Sequence, residues 1–160
     1  RDRLRSRGLG DVYKRQYFFG KDLLVCPLTL EDGTSREVYL PEGTWYNFFT
    51  GEKIEGGRRI MLEADWNEML VFARDGALVP VAEPVICVKE DTVFNITVKS
   101  FGTNKTGSCV LYEDDFVSFD YESLAAKKQI YIYANSKGEF IVSGAKTSTK
   151  YHFLNCIVKD

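Results

Sequence analysis

The densest group of side chains that could do chemistry is acidic and lies late in the chain. It consists of Glu113, Asp114, Asp115, Asp120 and Glu122. Carboxylate oxygens are the ligands that calcium prefers, so a calcium site is one hypothesis. The spacing departs from the D-x-[DN]-x-[DN]-G pattern of calcium-binding loops, and charged residues between strands are usually solvated. We therefore interpret the cluster as a solvated turn and predict no metal site.

Aromatic side chains form a second candidate site, because sugars lay the apolar faces of their rings on aromatic rings. The residues concerned are Trp45, Tyr46, Phe48, Phe49 and Trp66. Successive residues of a strand point to opposite faces, so Trp45 and Asn47 share one face. Tyr46 and Phe48 share the other. At least one of these two sets of side chains is expected to lie in the core or at a domain interface, and not on a surface where a sugar could stack.

One histidine and four cysteines complete the set of reactive residues. His152 lies in a run of Tyr, Phe and Leu and is interpreted as structural, since no nucleophile and base can be paired around it. The cysteines are Cys26, Cys87, Cys109 and Cys156. They contain no C-x-x-C pair, which argues against structural zinc, and we interpret them as small apolar strand residues. Two disulfides remain the alternative for an exported protein.

Composition limits the class of protein. The chain has 160 residues, of which 44% are hydrophobic and 28% charged, as is typical of a globular protein. Its 9 Tyr, 11 Phe and 2 Trp favour β structure. A net charge of −2 argues against nucleic acid as the main partner. No apolar run reaches the roughly 18 residues that a membrane span needs, and no glycine-rich phosphate loop indicates a cofactor.

The elements that would position these residues are strands. Short apolar runs separated by turn residues recur about every eight to twelve residues, which predicts antiparallel sandwiches. Leu23–Leu28 is almost continuously apolar, as expected of a strand buried on both faces, and Cys26 within it is predicted to be buried and unreactive. Thr92–Lys99 alternates, which predicts one dry and one wet face. We predict an all-β chain of two consecutive antiparallel β-sandwich domains.

Three segments are expected along the chain: a leader at 1–16, a first set of strands at 17–84 and a second set at 85–160. The leader carries six basic residues against two acids. A basic arm, native sequence of the protein and a non-native leader are the three alternatives. We favour a non-native leader and expect it to be mobile, because it has no apolar face to bury.

Four stretches carry a resemblance to a known family. FGKDLLVCP occupies Phe19–Pro27, LPEGTWYNFFTGEKIEGG occupies Leu40–Gly57, and LVFARDGALVP occupies Leu70–Pro80. Their order and spacing resemble the part of glycoside hydrolase family 31 in which the catalytic barrel ends and the first C-terminal β-sandwich begins. LYEDDFVSFDYE at Leu111–Glu122 is similar to the distal sandwich of that family, except that Phe116 stands where glycine is usual.

The resemblance implies the C-terminal β-sandwich part of a retaining α-glycosidase, with α-glucosidase the commonest activity and α-xylosidase the next. It also implies that both catalytic carboxylates lie on the barrel, before Tyr17, so we assign no catalytic residue, cofactor or metal ligand here. The implied partners are the barrel, which the sandwiches would brace, and an oligo- or polysaccharide substrate through the parent enzyme. A free-standing carbohydrate-binding sandwich is the alternative. Sugar, linkage, compartment and oligomeric state stay open.

Overall fold

The computed structural model describes residues 16–28, 34–65, 67–89, 91–103, 107–113, 128–134, 139–144 and 148–159. Within these ranges the chain forms thirteen strands in four sheets, and no helix. The predicted all-β class is therefore confirmed. The chain divides into two compact units between Asp75 and Gly76.

The first unit contains seven strands: β1 (Tyr17–Phe19), β2 (Leu23–Cys26), β3 (Ser35–Leu40), β4 (Thr44–Asn47), β5 (Lys53–Glu55), β6 (Arg58–Glu63) and β7 (Leu70–Arg74). Five of them form an antiparallel sheet in the order β1-β2-β7-β4-β5, while β3 and β6 pair as a two-stranded antiparallel sheet.

The core of the first unit lies between these two sheets. Leu24, Trp45 and Phe72 of the larger sheet pack in one cluster with Val38 and Leu40 of the smaller sheet. Leu24, Val25 and Cys26 are all buried, although neighbouring residues of a strand face opposite ways. The prediction that this run is buried on both faces is thus confirmed.

A glycine pair connects β5 to β6 and lies against the β3–β4 turn. The backbone N–H of Gly56 donates to the carbonyl of Gly43 at 2.8 Å, and that of Gly57 donates to the carbonyl of Leu40 at 2.9 Å. A Cβ on Gly56 would lie 1.9 Å from the carbonyl oxygen of Pro41. The two turns can therefore approach this closely only because Gly56 has no side chain.

The second unit contains six strands: β8 (Leu78–Ala82), β9 (Phe94–Phe101), β10 (Ser108–Glu113), β11 (Lys128–Ala134), β12 (Phe140–Ser143) and β13 (Tyr151–Lys159). They form two three-stranded sheets, ordered β10-β11-β12 and β13-β9-β8. Their inner faces meet at Leu78, Ile96, Val98 and Ile132. Burial of Ile96 and Val98 beside the less buried Thr97 confirms the alternation predicted for this strand.

The strand pairing of the second unit bears on two sequence-based expectations. β8 pairs with β9 from Leu78↔Ser100 to Ala82↔Ile96, which places Leu78–Ala82 in the second unit. The predicted domain boundary at 84/85 stays a prediction. The pairing of β13 with β9 is parallel, whereas only antiparallel sheets were predicted.

The last residue of the predicted leader belongs to the first unit. The side-chain amide of Gln16 donates to the carbonyl of Tyr39 at 2.8 Å, and its oxygen accepts from the N–H of Tyr39 at 3.2 Å. Residues 1–15 lie outside the described residues. So do Trp66 and the acidic residues Asp114, Asp115, Asp120 and Glu122.

Candidate functional site

An arginine and two aromatic rings meet on one face of the five-stranded sheet. Trp45 on β4 is the direct cross-strand partner of Arg74 on β7. The Cζ atom of Arg74 lies 5.3 Å from the Trp45 ring centroid and 5.9 Å from that of Phe18. Both distances suit a cation–π interaction. The indole N–H of Trp45 donates to the carbonyl of Pro41 at 2.9 Å, so the ring is held at its polar atom as well.

Strand β1 presents three exposed aromatic side chains at the edge of the same sheet. Tyr17, Phe18 and Phe19 are 54%, 48% and 67% exposed, and β1 pairs only with β2 among the described strands. We call these three residues the aromatic edge. An edge strand with apolar side chains is a surface that soluble proteins normally cover.

The aromatics that could have stacked on a sugar are divided between core and turn. Trp45 and Tyr46 are buried on opposite faces of the sheet and cannot reach a ligand, so both rows at this strand are structural. Phe48 and Phe49 follow in a turn, with ring centroids 5.2 Å apart and edge to face. The turn is held by Asn47 Oδ1, which accepts from the N–H groups of Phe49 and Thr50 at 2.9 and 3.1 Å.

Glu113 is the one described member of the acidic cluster, and it is only 4% exposed. Its Oε1 accepts from the N–H of Thr149 at 3.1 Å and from the hydroxyl of Thr149 at 2.7 Å, and its Oε2 accepts from the hydroxyl of Ser148 at 2.6 Å. The prediction of a solvated side chain is wrong for this residue. It faces inward and binds the turn before β13, because strand alternation places it on the opposite face from the exposed Tyr112.

His152 lies on the outer surface of the β13-β9-β8 sheet. Its Nδ1 is 3.3 Å from Oδ1 of Asn95, and Nδ2 of Asn95 donates to Oε2 of Glu83 at 2.7 Å. The three side chains form an exposed polar row that crosses from β13 to the end of β8. An amide between the imidazole and the carboxylate does not make a nucleophile–base pair, and the structural interpretation of His152 stays a prediction.

Cys26 packs in the core of the first unit with no exposed surface. Burial raises the pKa of its thiol to about 11, and the nearby positive charge of Arg36 opposes that rise in part. Arg36 is itself buried, and its Nη1 donates to the carbonyl of Pro27. The prediction of a buried thiol is thus confirmed, and its lack of reactivity stays a prediction.

Sequence reasoning overlooked an exposed aromatic surface on the second unit. Tyr112, Tyr131 and Tyr133 are 60%, 45% and 39% exposed, and Gln129 lies on the same face of the β10-β11-β12 sheet. We call these four residues the tyrosine face. The signal was available: in Gln129-Ile130-Tyr131-Ile132-Tyr133 polar and apolar residues alternate, and both isoleucines are buried.

A second group of carboxylates among the described residues lies on an open surface of the first unit. Glu63, Asp65 and Glu68 are exposed and line an open depression together with Thr34 and Ala64. The general acid of a glycosidase needs a setting that excludes water, which such a surface does not supply. Within the described ranges, no three His, Cys, Asp or Glu side chains are grouped so that they could hold a metal ion. The same ranges contain no helix long and apolar enough to cross a membrane.

Comparison with known proteins gives consistent matches in sequence and structure. The profile of the glycosyl hydrolase family 31 C-terminal domain matches residues 9–79. A crystal structure of an α-xylosidase from Xanthomonas citri superimposes with a TM-score of 0.73 at 32% identity, covering 91% of this chain and 16% of that one. The chain belongs to glycoside hydrolase family 31. It corresponds to the C-terminal part of the family's proteins.

Other family 31 relatives differ in reaction. An α-xylosidase of Saccharolobus solfataricus is 35% identical over 69% of this chain and 15% of its own length. A 1,6-α-glucosyltransferase of Sporosarcina globispora is 31% identical over 73% of this chain and 9% of its own length. The chain thus spans less than a sixth of each of these two relatives. The family profile ends within β8, so it covers the first unit, while the structural match extends through most of the second.

Proposed function

We propose that this chain is the part of a retaining α-glycosidase that docks on the catalytic barrel and braces it, without catalytic residues of its own. The observation that carries the proposal is the aromatic edge, in which Tyr17, Phe18 and Phe19 are between 48% and 67% exposed beside the buried residues of β2. Each aromatic ring buries roughly 150–250 Å² when covered, so leaving three of them in water is unfavourable. In the proposed parent the end of the barrel covers them.

Both faces of the five-stranded sheet support this assignment. Tyr17 and Phe19 are aligned through the ladder with Val25, Val71 and Ala73, on the face opposite Leu24 and Phe72. A sheet that is apolar on both faces is characteristic of one covered on both sides. A partner that packs against Tyr17 and Phe19 would extend the apolar layer in which Val25, Val71 and Ala73 are already buried.

The proposed reaction of the parent is hydrolysis of a terminal α-linked sugar, with an α-glucoside as the first candidate substrate. An α-xyloside is the second, because two of the matched relatives are α-xylosidases. Retaining cleavage needs two carboxyl groups about 5–5.5 Å apart across a pocket. The purified chain alone should therefore release no chromophore from nitrophenyl α-glucoside or α-xyloside. Turnover by the chain alone would contradict the proposal.

The docking step is tested by co-expression with the catalytic barrel of a matched relative, such as the α-xylosidase of Xanthomonas citri. The double variant Tyr17→Ser/Phe19→Ser should lose co-purification with the barrel. Met61→Ser is the matched control, since Met61 is as exposed as Phe19, at 67%, but lies on β6 of the smaller sheet. Equal co-purification of both variants would contradict docking through the aromatic edge, and activity recovered only in the complex would support the bracing role.

A further inference from the structure

The three rings of the tyrosine face form one continuous surface. Tyr131 and Tyr133 are two residues apart on β11, which places their Cβ atoms about 7 Å apart on one side of the sheet. Tyr112 on β10 is the direct partner of Gln129, so it is a diagonal neighbour of Tyr131 at roughly 7–8 Å. These separations are within the reach of aromatic side chains, and the rings can act together on one extended ligand.

The side chains that face the rings are uncharged and include both hydrogen-bonding and apolar groups. Tyr131 lies opposite Val110 on one side and Ser143 on the other, and Tyr133 lies opposite Ser108 and Ile141. The hydroxyl of Tyr131 donates to Oε1 of Gln129, which draws the ring along the strand. No Asp, Glu, Lys or Arg occupies any of these facing positions in the described part of the sheet.

We propose that the tyrosine face binds a neutral oligosaccharide. A pyranose ring has apolar C–H faces that stack on aromatic rings, and its hydroxyls pair with hydroxyl and amide groups such as those of Gln129 and Ser143. The lack of charge on the tyrosine face also favours a neutral ligand. An uncharged surface pays no desolvation penalty for ionised groups when a neutral glycan covers it, whereas an anionic polymer would find no cationic partner there.

The site lies within the second unit and needs no barrel residue. The choice of α-linked glucans as probes rests on the proposed function, but the binding surface does not. Failure of glucan binding would therefore leave the barrel-docking test untouched, and failure of docking would leave glucan binding measurable on the chain alone.

The experiment is affinity electrophoresis of the 160-residue chain in gels containing soluble starch or dextran, with polygalacturonate as the anionic comparison. The chain should be retarded by at least one glucan and not by polygalacturonate. Tyr131→Ala and Tyr133→Ala should each raise the Kd by about tenfold, as expected when one aromatic contact is lost. Met69→Ala, at an exposed apolar side chain of the first unit outside the aromatic edge, should leave the Kd unchanged.

A second variant distinguishes loss of glucan binding from loss of folding. Ser143→Arg places a long cationic side chain opposite Tyr131 while keeping every tyrosine, and it should also abolish retardation. Unchanged circular dichroism would show that each variant is folded. The proposal is overturned if neither glucan retards the chain, if Tyr131→Ala and Ser143→Arg bind as well as the wild type, or if polygalacturonate binds equally. Loss of a protein partner rather than of glucan in these variants would also overturn it.

Discussion

The guanidinium of Arg74 lies over the indole ring of Trp45, with Cζ 5.3 Å from the ring centroid. The two residues are direct cross-strand partners on β7 and β4, so the backbone register itself brings them together. Phe18 of the aromatic edge lies beside both, 6.2 Å from Trp45 between centroids. One arginine thus links the exposed edge strand to the buried core of the first unit.

Arg74→Met should lower the free energy of unfolding by about 1 kcal/mol, because it keeps an apolar stem but removes the cation from two rings. Lys53→Met is the control. It removes a positive charge from the same sheet, where Lys53 forms only a surface ion pair with Glu55 at 3.3 Å, and such pairs contribute little. Urea unfolding followed by circular dichroism measures both. If both variants lose the same free energy of unfolding, the contact of Arg74 with the two rings does not contribute to stability.

Gly56→Ala should be among the most damaging single changes in the first unit, at about 3 kcal/mol or more, because the new methyl group would lie 1.9 Å from the Pro41 carbonyl. Gly20→Ala is the control, because it measures the cost of replacing a glycine at a position where the new methyl group overlaps no other atom. Nothing lies within 4 Å of a Cβ on Gly20, and its φ of +67° makes the cost conformational, about 1 kcal/mol. A smaller loss for Gly56→Ala than for Gly20→Ala in thermal melts would contradict the steric account.

Glu113→Gln should destabilise the second unit by about 2 kcal/mol, since an amide nitrogen would replace one carboxylate oxygen among three donors from Ser148 and Thr149. Glu139→Gln changes the same charge at an exposed position near β12 and should cost much less. Chemical denaturation gives both values. If the two variants lose the same small amount, Glu113 does not anchor the turn before β13.

The free energy of unfolding should fall more steeply with rising pH in the wild type than in Cys26→Ala. Burial raises the folded-state pKa of this thiol from 9.0 to about 11, so the unfolded thiol ionises first. Its contribution is fully present below about pH 9 and is lost, on the order of 2 kcal/mol, as the pH rises through about 11. Cys87→Ala, at an exposed thiol, should keep the wild-type slope. Parallel slopes for all three proteins would refute this.

Sequence by itself determined the class and the family, because both depend on local pattern. Alternation and turn residues predicted strands that the structure contains, from the doubly buried β2 to the two-faced β9. The ordered motifs around FGKDLLVCP and LPEGTWYNFFTGE led to family 31 without any coordinate. Strand period and turn chemistry act over a few residues, so a single chain is sufficient to reveal them.

Only the tertiary structure decided which strands pair and which side chains meet. β8 pairs with β9 and not with β7, which places Leu78–Ala82 in the second unit. Glu113 meets Ser148 and Thr149 across more than 30 residues of sequence, and Arg74 meets Trp45 through the register. Such contacts depend on long-range pairing, because a strand's local pattern tells which face is buried but not which partner covers it.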